Sequence, residues 1–126
     1  MLVDTDQGPV LVDTGLGLHD FIRPSPMVRF FQWDLGIGRD PGCAAVKQLP
    51  RLGIEPTSVQ HIVLTHLHFD HAGGLPDFPH AEVHLHRREH EAMHRPRSWM
   101  ALAYDRADFA HGPSWVTYDH AGEEWL

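Results

Sequence analysis

The sequence is short of several residue types, and each shortage argues against a class of protein. Its 126 residues include one cysteine, Cys43, so no internal disulfide forms and a reducing cytoplasm is the expected location. No apolar run reaches about 18 residues, and no basic region precedes an apolar stretch at the start, so we expect neither a membrane span nor a secretory signal. Ten Lys and Arg against 17 Asp and Glu give a net charge of −7, so we expect no nucleic-acid or membrane partner.

Histidine, in contrast, is abundant. Twelve histidines outnumber the ten Lys and Arg residues, and this excess points first to metal binding or proton transfer. Hydrophobic residues make up 42% of the chain and charged residues 21%, as in ordinary globular proteins, and the length suits one domain.

Alternating strand-like and helix-like patterns predict an α/β domain built in layers. Turn-forming residues between two β-prone runs predict a hairpin over residues 2–12, and Gly15 and Gly17 allow a sharp, close-packed exit from it. The other predicted elements are strands over residues 61–65, 81–86 and 115–118, and helices over residues 41–52, 87–94 and 98–106. Residues 19–40 give no firm element.

The most informative stretch is an H-x-H-x-D-H string that directly follows the predicted strand over residues 61–65. Imidazole nitrogens and carboxylate oxygens are ligands for zinc and similar divalent ions. His66 and His68 point the same way in extended backbone, so both can reach one ion. Asp70 and His71 come where the chain turns and can reach a second ion nearby. The string therefore predicts a metal site of four side chains.

The residues around this string support that interpretation. Leu67 and Phe69 are expected to face the core and to fix the backbone beneath the ligands, and Gly73 and Gly74 allow a tight exit. The alternative is a solvated histidine-rich loop without a metal. The residue frequencies of this chain give only about 0.01 chance occurrences of the full string, which favours the metal site.

Residues 66–74 resemble the metal-binding motif of the metallo-β-lactamase superfamily, and residues 10–15 resemble the strand-Asp-Thr-Gly segment of the same family. The resemblance implies an α/β fold of the αββα sandwich type. Family domains are about twice this length, so residues 1–126 are expected to form a partial domain, the N-terminal portion of the sandwich.

The resemblance also implies roles for single residues. His66 and His68 match the ligands of a first zinc ion, and Asp70 and His71 match ligands of a second, with iron or manganese as possible replacements. Asp13 matches an acid that supports the metal loop by hydrogen bonding. The implied activity is hydrolysis of a small-molecule substrate by a metal-activated hydroxide, with Asp70 moving a proton to the leaving group. The motif wording is similar to lactonase-like members, and ester, lactone, thioester, β-lactam and phosphodiester substrates stay open.

Three other interpretations stay open. In the first, the chain is a non-catalytic half-domain that binds metal weakly or acts through a partner chain. A sheet face left exposed in such a half-domain would allow it to form a homo-oligomer. His90, Glu91 and His94 spell the H-E-x-x-H signature of zincin proteases, but about 0.05 chance occurrences are expected, and the helix carries many charges and ends at once. His111 and His120 are candidates for an additional metal ligand.

Overall fold

The computed structural model describes residues 1–95 and 103–119, whose strands form one five-stranded sheet in the order β1-β2-β3-β4-β5. The first pair of strands is antiparallel and the other neighbours are parallel. The strands are β1 (Leu2–Thr5), β2 (Gly8–Val12), β3 (His61–Val63), β4 (Glu82–His86) and β5 (Ser114–Tyr118). The helices are α1 (Leu18–Ile22), α2 (Pro26–Asp34), α3 (Ala45–Gln48), α4 (Phe69–Ala72) and α5 (Arg87–His94).

The predicted hairpin and strands are confirmed, with differences of one or two residues at the strand ends. In the hairpin, Thr5 pairs with Gly8, whose φ of 106° is easily adopted by glycine. The strand predicted over residues 61–65 ends at Val63. The Leu64 N–H still donates to the carbonyl oxygen of His84 on β4, but the Thr65 N–H donates to the side chain of Asp13, so strand pairing does not continue to Thr65.

Helices α1 and α2 occupy a region in which the sequence analysis predicts no firm element. Proline argued against a helix in this region, but Pro26 is the first residue of α2, where proline is favoured. The Ser25 hydroxyl caps the helix by accepting from the Val28 N–H at 3.2 Å.

The single helix predicted over residues 41–52 is wrong in its continuity. Ala44 is extended, with φ −60° and ψ 141°, so a 3-10 turn over Pro41–Cys43 is separated from α3. Pro50 has no N–H for an α-helical hydrogen bond, and the helical segment ends as a 3-10 turn over Leu49–Leu52. The helix predicted over residues 98–106 lies mostly outside the described residues. A 3-10 turn, Arg106–Phe109, begins at its last position.

The main core packs against one face of the sheet. Leu11, Ile62 and Val83 lie side by side on β2, β3 and β4 and are at most 4% exposed. The other buried members of this cluster come mostly from the segments between strands: Leu49, Val59, Leu64, Leu67, Ala72, Leu75, Phe78, Ala81 and Leu85. None of the helices within residues 1–95 and 103–119 is long and apolar enough to cross a bilayer.

The opposite face of the sheet carries the alternate residues of each strand. Val10 and His84 are buried there, whereas Val63 and Val116 are half-buried. Self-association through this face stays a prediction.

Candidate metal centre

The metal-type side chains lie on the segment that follows β3, called the metal loop here: His66 and His68 precede α4, and Asp70 and His71 are in its single turn. Two apolar residues fix this segment from below. Leu67 is fully buried in the main core. Phe69, 3% exposed, packs in a second cluster with Leu16 and Val28. The predicted inward orientation of Leu67 and Phe69 is therefore confirmed. Burying each side chain contributes about 1.5–3 kcal/mol, which holds the loop backbone under its polar residues.

Three of the four predicted ligands come together. One donor atom each of His66, Asp70 and His71 lies within 4.8 Å of the other two. The imidazole centroids of His66 and His71 are 3.9 Å apart, and Nε2 of His71 is 3.5 Å from Oδ2 of Asp70. His68 stands beside this group, with its ring centroid 4.5 Å from that of His66 and 5.6 Å from that of Tyr104.

Asp13 links the end of β2 to this loop. Among residues 1–95 and 103–119 it is the only non-glycine residue with positive φ, 56°, a conformation that Asp and Asn adopt more readily than most residues. Its Oδ1 accepts from the Thr65 N–H at 2.8 Å, and its Oδ2 lies 2.9 Å from Nδ1 of His71. Burial alone would raise the pKa of Asp13, but the hydrogen bonds from Thr65 and His71 outweigh it and lower the pKa.

Thr65 extends the same network to His66. The Thr65 hydroxyl is 2.9 Å from Oδ2 of Asp13 and 3.0 Å from Nδ1 of His66. Because the carboxylate can only accept, the hydroxyl donates to Asp13 and accepts from the imidazole. Nδ1 then carries the proton in both His66 and His71, and each Nε2 keeps its lone pair. Burial, with the neighbouring imidazoles of His71 and His68, also lowers the pKa of His66, which favours the neutral ring.

The segment after β2 packs backbone to backbone against the end of the loop. The N–H groups of Thr14 and Gly15 both donate to the carbonyl oxygen of His71, at 2.8 and 3.2 Å. A Cβ on Gly17 would clash with the carbonyl oxygen of Gly73. The close-packed exit predicted for this segment is thus confirmed, and it requires glycine at Gly17.

Sequence reasoning missed two residues that hold the loop from the other side. Oε1 of Glu89 accepts from the Leu67 N–H at 2.9 Å and from the Tyr104 hydroxyl at 2.8 Å. Burial and this contact raise the pKa of Tyr104 to about 12. No local pattern signals Glu89, since its partners lie 22 and 15 residues away in the chain.

The alternative ligands are not gathered with the loop. His111 is exposed and outside the group of His66, Asp70 and His71. His90 and His94 have ring centroids 5.0 Å apart, but in the described part of the chain no third metal-type side chain joins them. The ring of His90 packs on Trp115 instead, with centroids 5.4 Å apart. His120 lies outside the described residues.

Comparison with known proteins decides the family. The model of the metallo-beta-lactamase superfamily matches residues 1–124. The chain belongs to the metallo-β-lactamase superfamily. It is 42% identical over 126 residues to a probable metallo-hydrolase of Mycobacterium tuberculosis, covering 99% of this chain and 40% of that relative. It is 34% identical over 105 residues to an N-acyl homoserine lactonase of Bacillus thuringiensis, covering 75% of this chain and 38% of the lactonase.

A solved structure of another superfamily member confirms the α/β fold. It is an N-acyl homoserine lactone hydrolase with the product N-hexanoyl-L-homoserine bound at its catalytic metal centre. The TM-score is 0.68 at 26% identity, and the match covers 94% of this chain and 46% of the hydrolase. The chain spans about 40% of the length of the two curated relatives described above, and it corresponds to their N-terminal portion.

Proposed function

We propose that the loop of His66, His68, Asp70 and His71 holds a divalent metal ion, zinc in the first instance, and that the protein hydrolyses the ester bond of a lactone. One observation carries the proposal. Asp13 and Thr65 engage Nδ1 of His71 and His66, so that each Nε2 is a ligand atom beside the carboxylate of Asp70. Histidine ligands are commonly fixed in this way by a carboxylate or another acceptor behind the ring.

The donor set fits zinc better than calcium or magnesium. Two neutral imidazoles and one carboxylate suit zinc, while calcium and magnesium prefer oxygen ligands only. Iron and manganese accept the same set. The family resemblance implies two ions, the first held by His66 and His68 and the second by Asp70 and His71, with further donors completing each. A bound ion of this kind supplies Lewis acidity toward a carbonyl group and toward the attacking water.

The chain's own residues have distinct tasks in this proposal. Asp13 and Thr65 fix the tautomer and the orientation of the ligand rings. Leu67, held by Glu89, fixes the backbone between the two histidines of the H-x-H pair. The Asp70 carboxylate is 45% exposed, so it can meet a substrate. It would take a proton from the attacking water and give it to the alkoxide oxygen that leaves when the lactone ring opens.

The lactone substrate class is supported by the relatives alone. The B. thuringiensis relative and the matched solved structure are both named for action on N-acyl homoserine lactones. The domain assignment, a partial sandwich over residues 1–126, is part of the same proposal, and so is the small-molecule nature of the substrate.

The test is hydrolysis of an N-acyl homoserine lactone by the zinc-loaded chain, with the opened product followed by mass spectrometry. A thioester and a phosphodiester are assayed in parallel. His71→Ala is expected to lower lactone hydrolysis by more than about 100-fold, because it removes a ligand and not only its support. His80→Ala is the matched control, since His80 is an exposed histidine outside the loop.

Each contrary result has a separate meaning. Equal lactone hydrolysis by the wild-type chain and His71→Ala would show that the loop is not the site. Preferred turnover of the thioester or the phosphodiester would overturn the lactone assignment. Tight zinc binding without turnover of any substrate would favour the non-catalytic alternative.

A further inference from the structure

A second group of metal-type side chains lies away from the loop, where α1 meets the 3-10 turn Arg106–Phe109. It consists of His19, Asp20 and Asp108, and one donor atom of each lies within 4.8 Å of the other two. Nε2 of His19 is 3.1 Å from Oδ1 of Asp108 and 3.2 Å from Oδ1 of Asp20. The first of these contacts has hydrogen-bond geometry, while Oδ1 of Asp20 has no hydrogen-bond partner.

Both carboxylates of this group are completely buried. Asp20 and Asp108 are 0% exposed, and the His19 side chain is 31% exposed. Oδ2 of Asp20 accepts from the Gly17 N–H at 2.9 Å. Within residues 1–95 and 103–119, Oδ1 of Asp20 and Oδ2 of Asp108 are buried without a hydrogen-bond partner. Buried polar atoms are nearly always paired, so two orphaned carboxylate oxygens in one cluster indicate a missing cationic partner.

Among the residues that the structure describes, the charges in the cluster do not balance. A single imidazole faces two buried carboxylates, and Asp77 and Asp105 add further negative charge nearby. Protonated His19 can neutralise one carboxylate at most. Burial raises the pKa of Asp20 to about 7 and raises that of Asp108 as well, as expected for carboxylates without enough positive charge around them.

We propose that His19, Asp20 and Asp108 form a second divalent-metal site, separate from the loop of His66 and His71. One imidazole nitrogen with carboxylate oxygens is a donor set for zinc. Ligand atoms about 2.0–2.2 Å from one tetrahedral ion lie about 3.3–3.6 Å apart, close to the separations from Nε2 of His19. Of the three side chains, only that of His19 reaches solvent, with 31% of its surface exposed.

The site joins parts of the chain that are distant in sequence. His19 and Asp108 are 89 residues apart, and the ion would tie α1 to the turn that precedes β5. Asp20 also packs against the residue that follows α4, because a Cβ on Gly73 would clash with Oδ2 of Asp20. The second site is therefore a structural one that supports the end of the metal loop.

The experiment uses the double variant His66→Ala/His71→Ala, which lacks two ligands of the metal loop. Zinc is titrated against a chromophoric chelator, and X-ray absorption at the zinc edge reports the ligands. The double variant is expected to bind one zinc ion, with a spectrum that shows one imidazole and otherwise oxygen ligands. Adding His19→Gln should weaken this binding at least tenfold. Adding Asp34→Asn, which removes an exposed carboxylate, should leave it unchanged.

Two results would overturn the proposal. Absence of zinc binding to the double variant would show that the cluster of His19, Asp20 and Asp108 is neutralised by protons alone. A spectrum with two or more imidazoles would place the ion elsewhere, for example at His61 and His84, whose facing nitrogens are 3.0 Å apart. Both readouts come from the double variant itself, so they do not depend on whether the chain with the added His19→Gln substitution folds. Circular dichroism checks that variant before its affinity is compared.

Discussion

Asp13→Asn is the substitution that separates the support of the metal loop from its ligands. Asn tolerates the positive φ of 56° at this position, so the backbone should be preserved. The amide oxygen can still accept from the Thr65 N–H, which lies 2.8 Å from Oδ1. The amide nitrogen, however, would donate to Nδ1 of His71, where Oδ2 now accepts at 2.9 Å. The proton of the His71 ring would move to Nε2, and that atom would lose its lone pair.

The expected cost follows from this change of tautomer. Loss of a supporting partner behind a metal ligand typically costs about 10–100-fold in affinity, which is about 1.4–2.7 kcal/mol. Competition titration with a zinc chelator measures the affinity, and nitrogen NMR shifts of the apo chain report which ring nitrogen of His71 is protonated. Asp6→Asn, in the exposed turn of the hairpin, is the matched control. Wild-type zinc affinity in Asp13→Asn, with the His71 proton still on Nδ1, would refute the reasoning.

Three further predictions concern stability. Gly17→Ala places a methyl group on the carbonyl oxygen of the residue after α4 and should cost about 1–3 kcal/mol in urea unfolding, whereas Gly38→Ala, with open space around it, should cost less. Leu67→Ala empties a fully buried site and should cost about 2–5 kcal/mol in the same assay. In a chelating buffer, the folded-state pKa of Asp20, raised from 3.8 to about 7, should make the free energy of unfolding fall as pH rises between these values, and Asp20→Asn should reduce that slope and leave the part due to Asp108 and Asp77, whose pKa values are also raised.

Local sequence patterns were enough for the elements that carry the metal loop. Alternation and turn residues define the hairpin, and a short apolar run defines β3. The polar string after β3 is too improbable to be an ordinary loop, and its apolar positions, Leu67 and Phe69, are buried as its alternation implies. The missed helix α2 also had a signal, because Ser25 and Pro26 are an N-cap and a first-turn proline.

The contacts that complete the site could not be predicted in the same way. Asp13 and Thr65 are 52 residues apart, and Glu89 reaches back to Leu67 across 22 residues. Such pairs depend on how the sheet and helices pack, which a local pattern does not encode. The buried group at His19 is the extreme case. Its partner Asp108 is in a turn whose sequence gives no sign of burial.

Anomalous diffraction at the zinc edge from crystals of the zinc-loaded chain would locate the ion directly. We expect a strong peak between Nε2 of His66, Nε2 of His71 and the carboxylate of Asp70. Absence of a peak at this position, or a peak bound only by His90 and His94, would contradict this expectation.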